Sequence, residues 1–442
     1  MAYLILFVFC IVGIYGIQIK KNIGPLIILY YTIAPNVPLM GSTFDSTYFF
    51  IPIMLVFILI RNGGRLYKYR NFKGFIILSV VWVITYFIGW ILGDMHQPRM
   101  YFISSAGLLK TILAIYLLHL APCSSSEKNL DKTVGRGLEY VLGFNAVAVF
   151  LQWLIPLKMY DICYKLYYSA DSSGYTSYET ITSWGSGFYN GRYYRYFGLF
   201  ETPMIFSCVI ILALTFYVIQ ISSERRFFKY PRIVFFLSML LGILAQCKIF
   251  FLMLPILVSL YVICNVRRLT GKRVIAYSVI VIGAFFVIMN LDSISSSSMF
   301  QYLKYLKEPL EAFSTRFSSG GNSEGYLDNT LNIAFQNILT GVGPVSVEGE
   351  SIADSSYIVL LHNGGIIACI AMIIYYFSLF RNNIRIKHSY LNLLIIVLAI
   401  MGASRTVMLY GSVLIIIVYY LTENLNVSRQ CINLIVKERV KK

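Results

Sequence analysis

Apolar runs of about twenty residues recur along the whole chain and are separated by short polar segments. Folded as a helix, a run of this length crosses about 30 Å of hydrocarbon. Alternating strands of about ten residues, the unit of a transmembrane barrel, do not occur. We therefore expect an all-α polytopic integral membrane protein with about thirteen transmembrane helices (roughly 12–14). The runs lie near residues 2–19, 23–41, 45–60, 74–92, 101–121, 138–157, 197–221, 233–247, 249–265, 274–291, 355–380, 390–403 and 407–421.

Composition leads to the same class of protein. The chain has 442 residues, of which 58% are hydrophobic and 13% are charged, and its mean hydropathy is +0.70. This number of polar residues is too small to cover the surface of a soluble globule of this size. We therefore expect lipid to solvate part of the surface.

The basic residues indicate an orientation in the membrane. Most of the 37 Lys and Arg lie in alternate connecting segments, which is the pattern of cytoplasmic loops. Lys20 and Lys21 follow the first apolar run instead of preceding it, which argues against a cleaved signal peptide. We expect a multi-pass protein with its N-terminus outside and its C-terminus in the cytoplasm. The net charge of +17 is spread over many short segments, so it does not indicate nucleic-acid binding.

Metal and disulfide chemistry is not indicated. The eight cysteines are scattered singly without a C-x-x-C pair, and no two of the four histidines have the spacing of metal ligands. We expect no metal site and no cofactor.

Two long outer loops divide the predicted helices into groups. The loops cover residues 158–196 and 292–354, between transmembrane groups at 1–157, 197–291 and 355–442, the last with a cytoplasmic tail. Long loops in a compact protein usually carry function. No inverted repeat of broken helices is visible, which weakens a transporter interpretation.

The first loop is rich in tyrosine and ends with Arg192, Tyr194 and Arg195, and Glu201 follows as the chain re-enters the membrane. Aromatic faces with polar edges suit stacking on sugar rings, although the same tyrosines also suit an aromatic belt at the membrane interface. A guanidinium can hold phosphate oxygens with two hydrogen bonds and keeps its charge. Positive-inside sorting makes outer arginines unexpected, which favours a functional role for Arg192 and Arg195.

The second loop contains two predicted amphipathic helices, the first of which leads to Arg316. The second, "LDNTLNIAFQNIL", ends at a turn in which Gly341 and Gly343 supply backbone freedom. Asp354 then precedes an apolar run that contains Tyr357. Asp354 is a candidate general base, but an aspartate in this position is also a common helix N-cap.

Basic residues also interrupt apolar stretches. Lys248 and Arg405 each lie in a tight break between two predicted outer helix ends, where a charge is costly unless it is paired, faces a polar cavity or snorkels to the headgroups. Lys110, inside an apolar run, could pair with an acid or snorkel. Arg195, Lys248, Arg316 and Arg405 could converge on one positively charged cavity, which would suit a lipid pyrophosphate.

Two stretches carry a family resemblance. "RYFGLFETP", from Arg195 to Pro203, resembles the R-x-x-G-[LF]-F-x-x-P stretch of the O-antigen and capsule polymerases of the Wzy family. "NILTGVGPVS" followed by "DSSYIVLLHNGGIIA" resembles the exit of the second loop in the wider O-antigen ligase/polymerase superfamily. The resemblance implies a GT-C-like architecture in the bacterial inner membrane. It also implies transfer of a glycan from undecaprenyl pyrophosphate onto another lipid-linked repeat unit, without a metal.

The resemblance also implies roles for single residues. Arg195 and Arg316 match the loop arginines that bind pyrophosphate or glycan, and Asp354 stands where the related ligases have histidine, which favours a polymerase. Glu201 is a second candidate base. The further candidates for substrate binding are Arg192, Tyr194, Lys248, Gly341, Gly343, Tyr357 and Arg405.

The implied partners are lipid-linked oligosaccharide as donor and acceptor, membrane lipids, a chain-length regulator and a flippase, with no nucleic acid. A ligase that attaches finished polymer and a flippase for lipid-linked glycan remain alternative functions.

Overall fold

The computed structural model describes residues 1–39, 42–62, 72–92, 98–121, 130–167, 195–223, 225–245, 247–265, 326–344, 355–386, 388–404, 406–409 and 411–425. The structure is mostly helical (84%) and compatible with an all-α membrane protein. The chain forms two compact units: residues 1–34, 44–137 and 325–442 make the first, and residues 35–43 and 138–324 make the second.

The helices and strands are as follows in chain order: α1 (Ala2–Gln18), α2 (Gly24–Ile33), β1 (Asn36–Leu39), β2 (Ser42–Asp45), α3 (Thr47–Arg61), α4 (Lys73–Leu92), α5 (Pro98–Leu120), α6 (Leu130–Leu154), α7 (Pro156–Tyr167), α8 (Pro203–Ser222), α9 (Pro231–Ala245), α10 (Lys248–Asn265), α11 (Tyr326–Gln336), α12 (Ser356–Arg385), α13 (Asn392–Ser404) and α14 (Ser412–Leu425). Short 3-10 helices precede and follow α13, at Ser389–Leu391 and Thr406–Met408. The two strands pair with each other in a two-stranded sheet.

Five of the described helices, α4, α5, α6, α8 and α12, are long and apolar enough to cross a membrane. Large apolar side chains lie on the exposed sides of these helices: Ile77 of α4 is 63% exposed, Trp153 of α6 is 62% exposed and Phe377 of α12 is 65% exposed. Apolar surface of this extent is unfavourable in water and favourable in hydrocarbon. The fold therefore suggests a membrane protein.

Some helix bounds differ from those that the apolar runs predict. The run at 23–41 gives a helix that ends at Ile33, because Pro35 and Pro38 lack the amide hydrogens that a helix needs. The run at 197–221 gives a helix that begins only at Pro203. The predicted helix at 274–291 and the amphipathic helix that leads to Arg316 lie outside the described residues. The second amphipathic helix of that loop is present as α11.

In the first unit, α12 packs along α4, and α1 packs along α3. The indole Nε1 of Trp82 in α4 donates to the carbonyl of Ala368 in α12 at 3.2 Å. At the ends of α1 and α3, the Arg61 guanidinium donates to the carbonyls of Ile17 and Gln18 at 2.5 and 2.7 Å. The Ile17 carbonyl also accepts from the Lys20 amide at 3.2 Å. The arginine adds hydrogen bonds at this helix end and places a positive charge at the negative end of the helix dipole.

Lys110 pairs with an acid, one of the two alternatives that the sequence leaves open. Its Nζ lies 2.5 Å from Oδ2 of Asp45 and 4.5 Å from the centre of the Tyr48 ring. The second carboxylate oxygen, Oδ1, accepts from the Thr47 amide at 2.8 Å. The pair thus joins the middle of α5 to the start of α3.

In the second unit, α8 is the central helix. Most of its side chains are buried, and both α9 and α10 pack against it. The helical structure is interrupted between Ala245, the last residue of α9, and Lys248, the first residue of α10. The tight break that the sequence predicts at Lys248 is therefore present.

Candidate functional site

The candidate site is built around an extended stretch, residues 195–202, which we call the 195–202 segment. The segment ends where α8 begins, because the Thr202 hydroxyl accepts from the amide of Ile205 at 3.3 Å and caps the helix. Pro203 occupies the first helical turn, where its missing amide hydrogen costs nothing. These local signals explain why the apolar pattern placed the start of this helix too early.

Side chains of α6 hold the backbone of the 195–202 segment. The Oε1 atom of Gln152 accepts from the amides of Phe197 and Gly198 at 3.0 and 2.9 Å, and its Nε2 donates to the Gly198 carbonyl at 3.1 Å. About two turns earlier in α6, Oδ1 of Asn145 accepts from the Leu199 amide at 2.7 Å. Buried backbone groups need such partners, and here two amide side chains replace a neighbouring strand.

The helix α7 supplies a second set of contacts to the 195–202 segment. The Tyr160 hydroxyl donates to the Arg195 carbonyl, the Tyr167 hydroxyl donates to the Leu199 carbonyl at 2.9 Å, and the Cys163 thiol lies 3.4 Å from the Gly198 carbonyl. All three side chains lie on one buried face of α7. The first part of the predicted loop at 158–196 is thus an amphipathic helix that clamps the 195–202 segment.

Burial keeps these α7 groups in their protonated, donating forms. It raises the pKa of the Cys163 thiol to about 12, although the hydrogen bond from Gln152 opposes this shift. It also raises the pKa of the Tyr160 hydroxyl well above its usual range. Because neither group ionises near neutral pH, both act as fixed hydrogen-bond donors and neither is a candidate base.

Gly198 is required by the geometry of the 195–202 segment. Its φ is +62°, a conformation that side chains with a Cβ rarely adopt. A Cβ at this position would also lie 2.3 Å from Oδ1 of Asn145. The glycine of the "RYFGLFETP" motif therefore lets the chain turn and lets α6 approach closely.

The 195–202 segment lies beside the α9–α10 break. The amide of Tyr196 donates to the carbonyl of Leu244 at 3.1 Å, one residue before α9 ends. Arg195 is half-buried and Glu201 is exposed. The structure thus brings the backbone that carries Arg195 close to the break that ends at Lys248, two of the predicted basic positions.

The predicted glycine turn lies in the first unit and packs into a broken helix. The amides of Val342 and Gly343 donate to the carbonyls of His362 and Asn363 at 2.8 and 3.1 Å. These carbonyls are free to accept because α12 leaves helical geometry at Gly365. Gly341 and Gly343 both have positive φ, and a Cβ on Gly343 would lie 2.8 Å from backbone atoms of Trp90 in α4. In this structure the glycines serve close backbone packing.

Tyr357 and His362 on α12 also have contacts within the first unit. The Tyr357 hydroxyl donates to the Ala399 carbonyl of α13 at 2.8 Å. His362 is buried, and its Nδ1 lies 2.9 Å from Oδ1 of Asn363. The Tyr357 hydrogen bond therefore joins α12 to α13, whereas the His362 contact lies within α12.

Five predicted site residues, Arg192, Tyr194, Arg316, Asp354 and Arg405, lie outside the described residues. The side chain of Lys248 is likewise outside the description, although its backbone begins α10. The convergence of Arg195, Lys248, Arg316 and Arg405 on one cavity therefore stays a prediction.

The sequence analysis missed the residues that hold the 195–202 segment. Asn145 and Gln152 are seven residues apart in the apolar stretch "VLGFNAVAVFLQWL", a spacing that places both on one helix face. Two uncharged amides on one face of an apolar helix need hydrogen-bond partners inside the protein. That signal could have indicated them.

Comparisons with known proteins add no family to this geometry. No protein-family model, no curated protein and no solved structure matches the chain. Within the described part of the chain, no group of three or more His, Cys, Asp and Glu side chains could hold a metal ion.

Proposed function

We propose that this protein is a polymerase of lipid-linked oligosaccharide repeat units, of the kind that makes O-antigen or capsular polysaccharide. It transfers a growing glycan from undecaprenyl pyrophosphate onto another lipid-linked unit at the outer face of a bacterial inner membrane. About thirteen transmembrane helices, an outer N-terminus, a cytoplasmic C-terminus and a GT-C-like architecture belong to the same proposal.

The observation that carries the proposal is the way in which the 195–202 segment is held. Side chains from α6 and α7 satisfy its backbone, and its Tyr196 amide is bonded next to the break at Lys248. A chain fixed in this way can present Arg195 to a ligand without first paying the entropy of ordering a loop. The segment also lies in one of the two stretches that carry the resemblance, the one similar to the Wzy-family polymerases.

The reaction needs charge stabilisation more than it needs a metal. The bond between the anomeric carbon of the donor glycan and the pyrophosphate oxygen breaks, and a bond to an acceptor hydroxyl oxygen forms. Negative charge that develops on the leaving oxygen would be stabilised by Arg195, with Lys248, Arg316 and Arg405 as further candidates. Glu201 or Asp354 would take the proton of the acceptor hydroxyl.

Glycan analysis of a deletion strain tests the proposal and separates it from its alternatives. Loss of a polymerase leaves single repeat units that are exported and attached to their final acceptor. Long chains that accumulate on undecaprenol would instead indicate a ligase. Lipid-linked units that remain on the cytoplasmic side would indicate a flippase, and either of these results would refute the proposal.

A further inference from the structure

We infer that Gln152 is a positioning residue that sets the place of Arg195 for the transfer reaction; this inference rests on the proposed function. Gln152 lies within α6, is fully buried, and bonds to three backbone groups of Phe197 and Gly198. It touches the backbone, so it acts through Arg195 and not on the substrate.

The hydrogen bonds of Gln152 fix where Arg195 lies along the extended chain. Extended backbone advances about 3.3 Å per residue, so a slip of one residue would carry the guanidinium about that far. Two-point binding of phosphate by an arginine requires placement to within about 0.5 Å. A change that frees Phe197 and Gly198 should therefore impair catalysis even when Arg195 itself is intact.

Loss of the Gln152 side chain also leaves polar groups unpaired. The amides of Phe197 and Gly198 would each need a new partner in a buried region. The Cys163 thiol would still reach that carbonyl, and the Asn145 bond to Leu199 would remain. We expect local loosening of the 195–202 segment rather than unfolding of the second unit.

The chain offers a matched control in Gln220 of α8. Its Oε1 accepts from the amides of Phe227 and Phe228 at 3.0 and 2.9 Å, the same two-amide arrangement on another extended stretch of the second unit. Gln220→Leu should therefore loosen the residues around 225–230 and leave the 195–202 segment alone. The two variants remove the same chemical group, although Gln152 is fully buried and Gln220 is half-buried.

The experiment combines hydrogen–deuterium exchange with a polymerisation assay on purified full-length protein. In Gln152→Leu, exchange should rise in peptides that cover the 195–202 segment and stay unchanged at 225–230; Gln220→Leu should give the reverse. With synthetic undecaprenyl-pyrophosphate oligosaccharide, the polymerisation rate of Gln152→Leu should be lower than that of the wild type by roughly tenfold or more. A tenfold loss of rate corresponds to about 1.4 kcal/mol less stabilisation of the transition state. The rate of Gln220→Leu should stay near that of the wild type. Gln152→Glu, which in its protonated form keeps one acceptor and one donor, should restore much of the rate.

Each outcome bears on a separate claim. Unchanged exchange of the 195–202 segment in Gln152→Leu would overturn the positioning role, whatever the enzyme does. Equal loss of polymerisation in Gln152→Leu and Gln220→Leu would also overturn it, because the effect would then be general. If the exchange pattern is as expected but the wild-type protein makes no polymer, the proposed function fails and the contact itself stands.

Discussion

Gly198→Ala is a small change that should disturb the candidate site strongly. The added methyl group would sit on a residue with φ of +62° and would lie 2.3 Å from Oδ1 of Asn145. That oxygen accepts the hydrogen bond from the Leu199 amide, so it cannot move away without breaking this bond. The substitution therefore combines backbone strain with the loss of a partly buried hydrogen bond.

The expected cost follows from these two effects. A residue with a Cβ in the left-handed region costs roughly 1–2 kcal/mol relative to glycine. A buried amide left without a partner costs roughly 1–3 kcal/mol. Together they predict a loss of about 2–5 kcal/mol in the free energy of unfolding. If the second unit unfolds cooperatively, its apparent melting temperature should fall by roughly 5–15 °C.

Thermal unfolding of purified protein in detergent measures this effect, and Gly143→Ala is the matched control. Gly143 lies on α6, two residues before Asn145, and a Cβ there would meet nothing within 4 Å. Alanine also favours a helix over glycine, so this variant should melt at or slightly above the wild-type temperature. If Gly198→Ala melted like Gly143→Ala, our account of the 195–202 segment would be refuted.

The helical, membrane-type fold could be predicted from the sequence because apolar runs report directly on burial in lipid. The bounds of α2 and α8 could not be obtained from hydrophobicity alone. Pro35 ends one helix region early, and the Thr202–Pro203 cap delays the start of the other. In both places local backbone chemistry outweighs the apolar pattern.

The candidate site was only partly predictable. Arg195 stands out in the sequence because it is charged and lies at the end of a long predicted loop. Its supporting residues, Gln152 and Tyr160, are distant in sequence and take part only once α6, α7 and the 195–202 segment meet. Tertiary contacts of this kind leave only a faint trace in sequence, such as the seven-residue spacing of Asn145 and Gln152.

Three further predictions concern other parts of the molecule. Lys110→Met should lower the free energy of unfolding by about 1–3 kcal/mol, which is less than the loss expected for a fully buried ion pair because Asp45 is partly exposed. Adding Asp45→Asn should recover much of this loss in a double-mutant cycle. No recovery would argue against the ion pair. Gly343→Ala should lower the yield of folded protein in fluorescence-detected size exclusion, because its Cβ would lie 2.8 Å from the backbone of α4; normal yield would contradict that packing. Burial raises the pKa of the Cys163 thiol to about 12, so little reactive thiolate exists at pH 8 and maleimide should leave Cys163 unmodified. It should label a Lys165→Cys variant, because the Lys165 side chain is 64% exposed. Equal labelling at the two positions would refute the burial of the α7 face that carries Cys163.

Polymerisation by the purified protein in lipid vesicles tests the proposed function most directly. With synthetic undecaprenyl-pyrophosphate oligosaccharide as the only substrate, we expect the wild-type protein to produce a ladder of longer glycans. Arg195→Ala should produce none, and Arg195→Lys should restore little, because an ammonium cannot bind phosphate with the two-point geometry of a guanidinium. Absence of any ladder from well-folded wild-type protein, or an unchanged ladder from Arg195→Ala, would contradict the account.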